Sequence, residues 1–165
     1  MTEYRIYKWT HPIVWTNLLF VLSALITKDV WVILSALSLT LGSGLMHRQY
    51  SYHAKLFDWF GMYFYPVMIA FNLYGLSDYL TFFCSGLLIF GVIASLADNN
   101  KAIAVTMILV CFLKILQSPI VGIIASLIYI GFVYVNYVEQ KAMYKDKVHT
   151  IKHVFGASGY LFLNL

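Results

Sequence analysis

His149-Thr150-Ile151-Lys152-His153 opens the last apolar segment of the chain. On a helix, two histidines four residues apart leave the same face one turn from each other, a spacing at which two imidazoles can share one metal ion. An earlier apolar segment ends in Ser43-Gly44-Leu45-Met46-His47, and Asp58 follows eleven residues after His47. Ser43 and His47 share a helical face for the same reason. Three histidines, a serine and an aspartate therefore stand at the ends of three apolar segments. Polar side chains are costly to keep there and point to function by default.

Each of these residues has a plainer explanation when taken alone. A histidine at the end of an apolar helix sits at an interface, and an aspartate at the start of one caps it. Together they make a chemical set. Zinc held by three histidines, with one open position, is a recurrent catalytic arrangement, and water in that position reaches a pKa of ~7. Asp58 is the acidic residue placed to take a proton from that water. Ser43, one turn deeper than His47, can hydrogen-bond the water or a substrate carbonyl. His11 and His53 stand apart from the set: His11 precedes Pro12 with no partner at metal spacing, and His53 lies between Tyr52 and Ala54 in a basic stretch. Lys152 projects away from His153 and is expected to reach for lipid head groups, as is Lys114 on the opposite side.

The elements that must position these residues follow from composition. Of 165 residues, 61 % are hydrophobic and 11 % charged, with a mean hydropathy of +0.78. Soluble domains carry about 25 % charged residues, so the chain reads as an integral membrane protein with a single domain over residues 1–165. A spanning helix needs ~20 mostly apolar residues. Seven segments meet that need, some of them barely: residues 12–26, 30–46, 57–74 with Pro66 inside, 79–96, 102–116, 120–138 and 148–165. None alternates apolar and polar residues as a membrane barrel would. The expectation is an all-α protein of seven transmembrane helices.

Lysine and arginine set the orientation. The N-terminus and alternate loops carry Arg5, Lys8, Arg48, Lys55, Lys101, Lys141, Lys145 and Lys147, and the other side carries only Lys28 and Lys114. Eight against two places the N-terminus in the cytoplasm and the C-terminus outside, with the polar set near the cytoplasmic face. Tyr4, Tyr7, Trp9, Tyr50, Tyr52, Trp59, Tyr137 and Tyr144 fall where interfacial belts belong. The net charge of +4 is spread over short loops and offers no nucleic-acid-binding patch. Cys84 and Cys111 both lie inside apolar runs, against a disulfide framework or a cysteine zinc site. The first apolar run has no small-x-small cleavage pattern at Thr27-Lys28-Asp29 and reads as a retained span.

The Ser-x-x-x-His closing one span, the aspartate opening the next and the His-x-x-x-His opening the seventh resemble the alkaline ceramidase and adiponectin-receptor superfamily. The step from His47 to Asp58 looks like the ceramidases. Asp58-Trp59-Phe60-Gly61, with glycine three residues after the aspartate, is more similar to the receptor branch, as is the cytoplasmic N-terminus. The resemblance implies a zinc-dependent hydrolase of lipid amides, with zinc on His47, His149 and His153 and with Asp58 and Ser43 acting on water and substrate. A membrane lipid would enter laterally, and a chain this small is compatible with a homodimer. Two other readings stay open at this point: a membrane receptor or sensor with a structural zinc, and a haem protein using His47 with His149 or His153 as axial ligands. A transporter is disfavoured, because no internal repeat is found.

Overall fold

The computed structural model describes Lys8, residues 11–49, 51–74, 101–141 and 145–165, together with Ser85, Gly86, Ile89, Gly91 and Ile93. Among these, every regular element is helical. The first apolar segment divides into α1 (Pro12–Thr16) and α2 (Leu18–Ala24), followed by a 3-10 turn at Leu25–Thr27. Then come α3 (Val30–Arg48), α4 (Tyr52–Tyr74), α5 (Lys101–Gln117), α6 (Pro119–Lys141) and α7 (Lys145–Asn164). Most of the fourth expected span, including Cys84, and the belt residues Tyr4, Tyr7, Trp9, Tyr50 and Tyr144 lie outside the described residues.

Local chemistry explains most of the boundaries. Pro12 starts α1 behind His11, whose ring accepts the Ile13 N–H, as suits a position where a missing N–H costs nothing. The first segment breaks where Asn17 donates its side-chain amide to the Ile13 and Val14 carbonyls. Lys28 adopts a left-handed conformation at φ 56°. Asp29 then caps α3 by accepting from the N–H groups of Trp31 and Val32.

One expectation changes in a way that matters for the site. The third apolar segment begins at Tyr52, five residues before its expected start, and Ser51 accepts the Ala54 N–H at its head. Asp58 is therefore in the second turn of α4 and does not cap it. Pro66 lies inside α4, fully buried, and the helix runs through it.

Each helix packs on the next, α3 on α4 and α6 on α7 most extensively, and α7 closes the ring by packing on α2. The α3–α4 contact is close because glycine faces backbone on both sides. A Cβ on Gly42 would lie 2.7 Å from the Asp58 Cα, and one on Gly61 would lie 2.5 Å from the Leu39 Cα. Any larger residue would push the helices apart. The core collects Leu39, Tyr65, Val67, Ile69, Val110 and Leu163.

Several polar groups are buried alongside this apolar core, while many large apolar side chains are exposed. Asn17, Thr40, Ser43, Asp58 and Thr106 are buried, whereas Leu22, Trp31, Leu41, Ile120, Leu127 and Ile130 are exposed. Among the described residues, two helices are long and apolar enough to cross a membrane: Val30–Arg48, with 19 residues, and Pro119–Glu139, with 21. Pro12–Thr27 and Ile103–Gln117 are apolar but shorter.

Candidate metal centre

The ring of helices gathers five helix ends at one place: the start of α1, the end of α3, the first turns of α4, the end of α6 and the start of α7. His47 stands in the last turn of α3, and His149 and His153 in the first half of α7. Their spacing in α7 does what a four-residue step must, and the α3 and α7 ends bring His47 to them across 102 residues of sequence.

One ring nitrogen from each of His47, His149 and His153 lies within 4.8 Å of the other two. The Nε2 atoms of His47 and His149 are 3.1 Å apart. The ring centroids are separated by 4.7 Å (His47–His149), 5.3 Å (His47–His153) and 4.7 Å (His149–His153). Zinc–nitrogen bonds of ~2.0–2.1 Å in a tetrahedral site put neighbouring nitrogens about 3.4 Å apart. The three rings therefore need only small adjustments to share one ion. The donor set fits zinc, and imidazole also serves copper, iron and nickel.

The outer nitrogens of two rings are spoken for. His153 is buried, and its Nδ1 lies 2.9 Å from Thr16 Oγ1. The Thr16 hydroxyl is also 2.9 Å from the Ile13 carbonyl; with its proton given to that carbonyl it would accept from His153 Nδ1–H and leave His153 Nε2 its lone pair. His149 Nδ1 contacts Glu139 Oε1. Neither Thr16 nor Glu139 stands out in the sequence. Thr16 is 137 residues from its partner, and Glu139 reads as part of a charged loop when it is in fact near the end of α6.

Asp58 and Ser43 meet each other. The Ser43 hydroxyl donates to the Asp58 carboxylate, and Asp58 Oδ1 has no partner among the described residues. Both side chains are buried. Leaving a buried acceptor unsatisfied costs roughly 1–3 kcal/mol. Asp58 is not one of the atoms that converge within 4.8 Å; it flanks the histidines through Ser43, one turn from His47 on α3.

Several flanking residues differ from expectation. Lys152 does not extend to head groups: its ammonium donates to Glu139 Oε2 at 2.7 Å and reaches Asn136 Oδ1 at 3.5 Å. Lys114 is buried and donates to Gln117, which in turn donates to the Leu73 carbonyl. Trp59 is buried, with the Lys55 ammonium 4.6 Å above its ring. His53 is exposed beside Tyr52, as expected. Cys111 is a free buried thiol.

No family model, no curated protein and no solved structure matches this chain.

Proposed function

We propose that this chain is a zinc-dependent hydrolase of the membrane interior, acting on the amide bond of a lipid, in the manner of the alkaline ceramidase and adiponectin-receptor superfamily that its motifs resemble. The observation that carries this reading is the convergence of His47 with His149 and His153 beside the buried Ser43–Asp58 pair. In this reading the seven apolar segments are seven spans, with the N-terminus cytoplasmic and the C-terminus outside, and the centre lies near the cytoplasmic face. The many large apolar side chains on the exterior, with polar groups such as Asn17 and Asp58 kept inside, support immersion in lipid.

His47, His149 and His153 would hold the ion through nitrogen. Zinc supplies a Lewis acid there and lowers the pKa of water to ~7. Asp58 accepts the proton of the attacking water and passes it to the leaving amine, so that amide and water become carboxylic acid and amine. Ser43 donates to Asp58 and keeps its carboxylate oriented. The 3.1 Å approach of the His47 and His149 nitrogens favours a shared ion over a haem, since no macrocycle fits between them.

An apolar groove of about 250 Å³ runs along the α2–α7 seam, lined by Leu19, Leu22, Ser23, Val154, Ala157 and Leu161 among others. Ala157 is one turn beyond His153 on α7, so this seam lies on the helix that carries two of the histidines. This supports lateral entry from the bilayer.

The test is zinc content and hydrolysis measured together on purified protein, with lipid amides and lipid esters as substrates. Stoichiometric zinc with amide turnover is the expected result. Stoichiometric zinc without turnover on either class would favour a sensor with a structural ion, and no zinc at all would end the proposal.

A further inference from the structure

Glu139 is the one carboxylate seen in contact with a candidate metal ligand among the described residues. It sits near the end of α6 and grips α7 with both oxygens. Oε1 meets His149 Nδ1, and Oε2 accepts from the Lys152 ammonium at 2.7 Å. His149 and Lys152 are three residues apart on α7, so both reach the same point on α6. Asn136, one turn before Glu139, adds its Oδ1 at 3.5 Å from Lys152. The side chains of His149, Glu139 and Lys152 are only 16–19 % exposed, so water competes weakly for these bonds.

We infer that Glu139 is a positioning residue of the metal centre: its carboxylate, anchored on one oxygen by Lys152, fixes His149 as the Nδ1–H tautomer and presents His149 Nε2 to the ion. This rests on reading the three histidines as ligands. The geometry is one-sided. A carboxylate only accepts, so the proton between Glu139 and His149 belongs to Nδ1. Nε2 then carries the lone pair, and it is Nε2 that faces His47 at 3.1 Å. Thr16 is placed to favour the same tautomer of His153 by an independent route. Metal-bound histidines commonly give their second nitrogen to such a partner, and losing it weakens metal binding ~10–100-fold.

The rival explanation is an ordinary ion pair that staples α6 to α7. The two differ sharply for Glu139→Gln, which keeps the size but leaves one acceptor for two donors. The Lys152 ammonium, a donor only, would take the Gln carbonyl oxygen. The Gln NH₂ would then face His149 Nδ1 and force that nitrogen to accept, moving the ring proton to Nε2, where it blocks the metal. Glu139→Gln should therefore damage binding despite its shape. Adding Lys152→Met removes the competing donor, frees the Gln oxygen for His149 Nδ1–H and should restore binding. A staple predicts the reverse, because the double variant loses both charges.

The experiment measures zinc affinity by chelator competition on the full-length protein in detergent, for wild type, Glu139→Gln, Lys152→Met and the double variant, with helical content checked for each. Glu139→Gln should bind ~10–100-fold more weakly, and the double variant should regain most of that loss relative to Lys152→Met. Wild-type affinity in Glu139→Gln, or no recovery in the double variant, overturns the inference. If a variant does not fold, the nitrogen-15 shifts of His149 in the metal-free wild type decide: protonated Nδ1 supports it, and protonated Nε2 overturns it. Failure of the wild type to bind zinc would instead overturn the proposed function itself.

Discussion

Gly42 of α3 rests against the backbone of Asp58 on α4, so closely that a Cβ on Gly42 would lie 2.7 Å from the Asp58 Cα. This contact sets the register between the two helices. Ser43, the next residue along α3, meets the Asp58 carboxylate, and His47 follows one turn later at the helix end. Backbone contact of this kind resists adjustment, so the relative heights of Ser43, His47 and Asp58 are set by packing rather than by the polar groups themselves.

The first prediction tests that register. Gly42→Ala and Gly61→Ala each place a methyl against backbone, where overpacking typically costs ~1–3 kcal/mol. Both should lower the thermal midpoint in detergent, whereas Gly44→Ala, which meets nothing within 4 Å, should leave it nearly unchanged. Equal midpoints for all three would show that the α3–α4 approach is looser than described.

The three histidines should behave as one unit toward zinc. Alanine at His47, His149 or His153 should remove most of the bound metal, because two ligands hold the ion poorly. Metal analysis on each variant measures this. Full occupancy in the His149→Ala, His153→Ala double variant would end the assignment of these residues.

Asp58→Asn separates catalysis from structure. With Ser51 at the head of α4, Asp58 has no capping role to lose. Asparagine keeps the shape, so zinc should stay bound and the fold should survive. Lipid-amide hydrolysis should fall ~10²–10⁴-fold, the usual worth of general acid–base catalysis. Near-normal turnover with zinc retained would remove Asp58 from the mechanism, and joint loss of zinc and activity would make it a partner of a ligand.

Orientation is tested independently of chemistry. Eight basic residues against two predict that a tag on the N-terminus faces the cytoplasm and one on the C-terminus faces outside. Protease access in sealed vesicles reads this directly. Both tags on one side would refute an odd number of spans.

The sequence alone determined what depends on local periodicity. Long apolar runs with sparse charge specify helices, and the described residues hold no other regular element. His149 and His153 share a face because four residues make about one turn, whatever surrounds them. The end-of-segment position of His47 was likewise visible in the apolar pattern. Tertiary structure decided everything that depends on which helices touch. Asp58 looked like a cap until α4 was seen to begin at Tyr52 and bury it beside Ser43. Lys152 does project away from His153, as helical geometry requires, but α6 lies in that direction and offers Glu139 instead of head groups. Thr16 and Glu139 hold the outer nitrogens of two histidines from 137 and 10 residues away. A threonine and a glutamate are too common for their type to announce such a role. Spacing along one helix carries no information about the height and rotation of its neighbour, which here are fixed by glycines pressed against backbone.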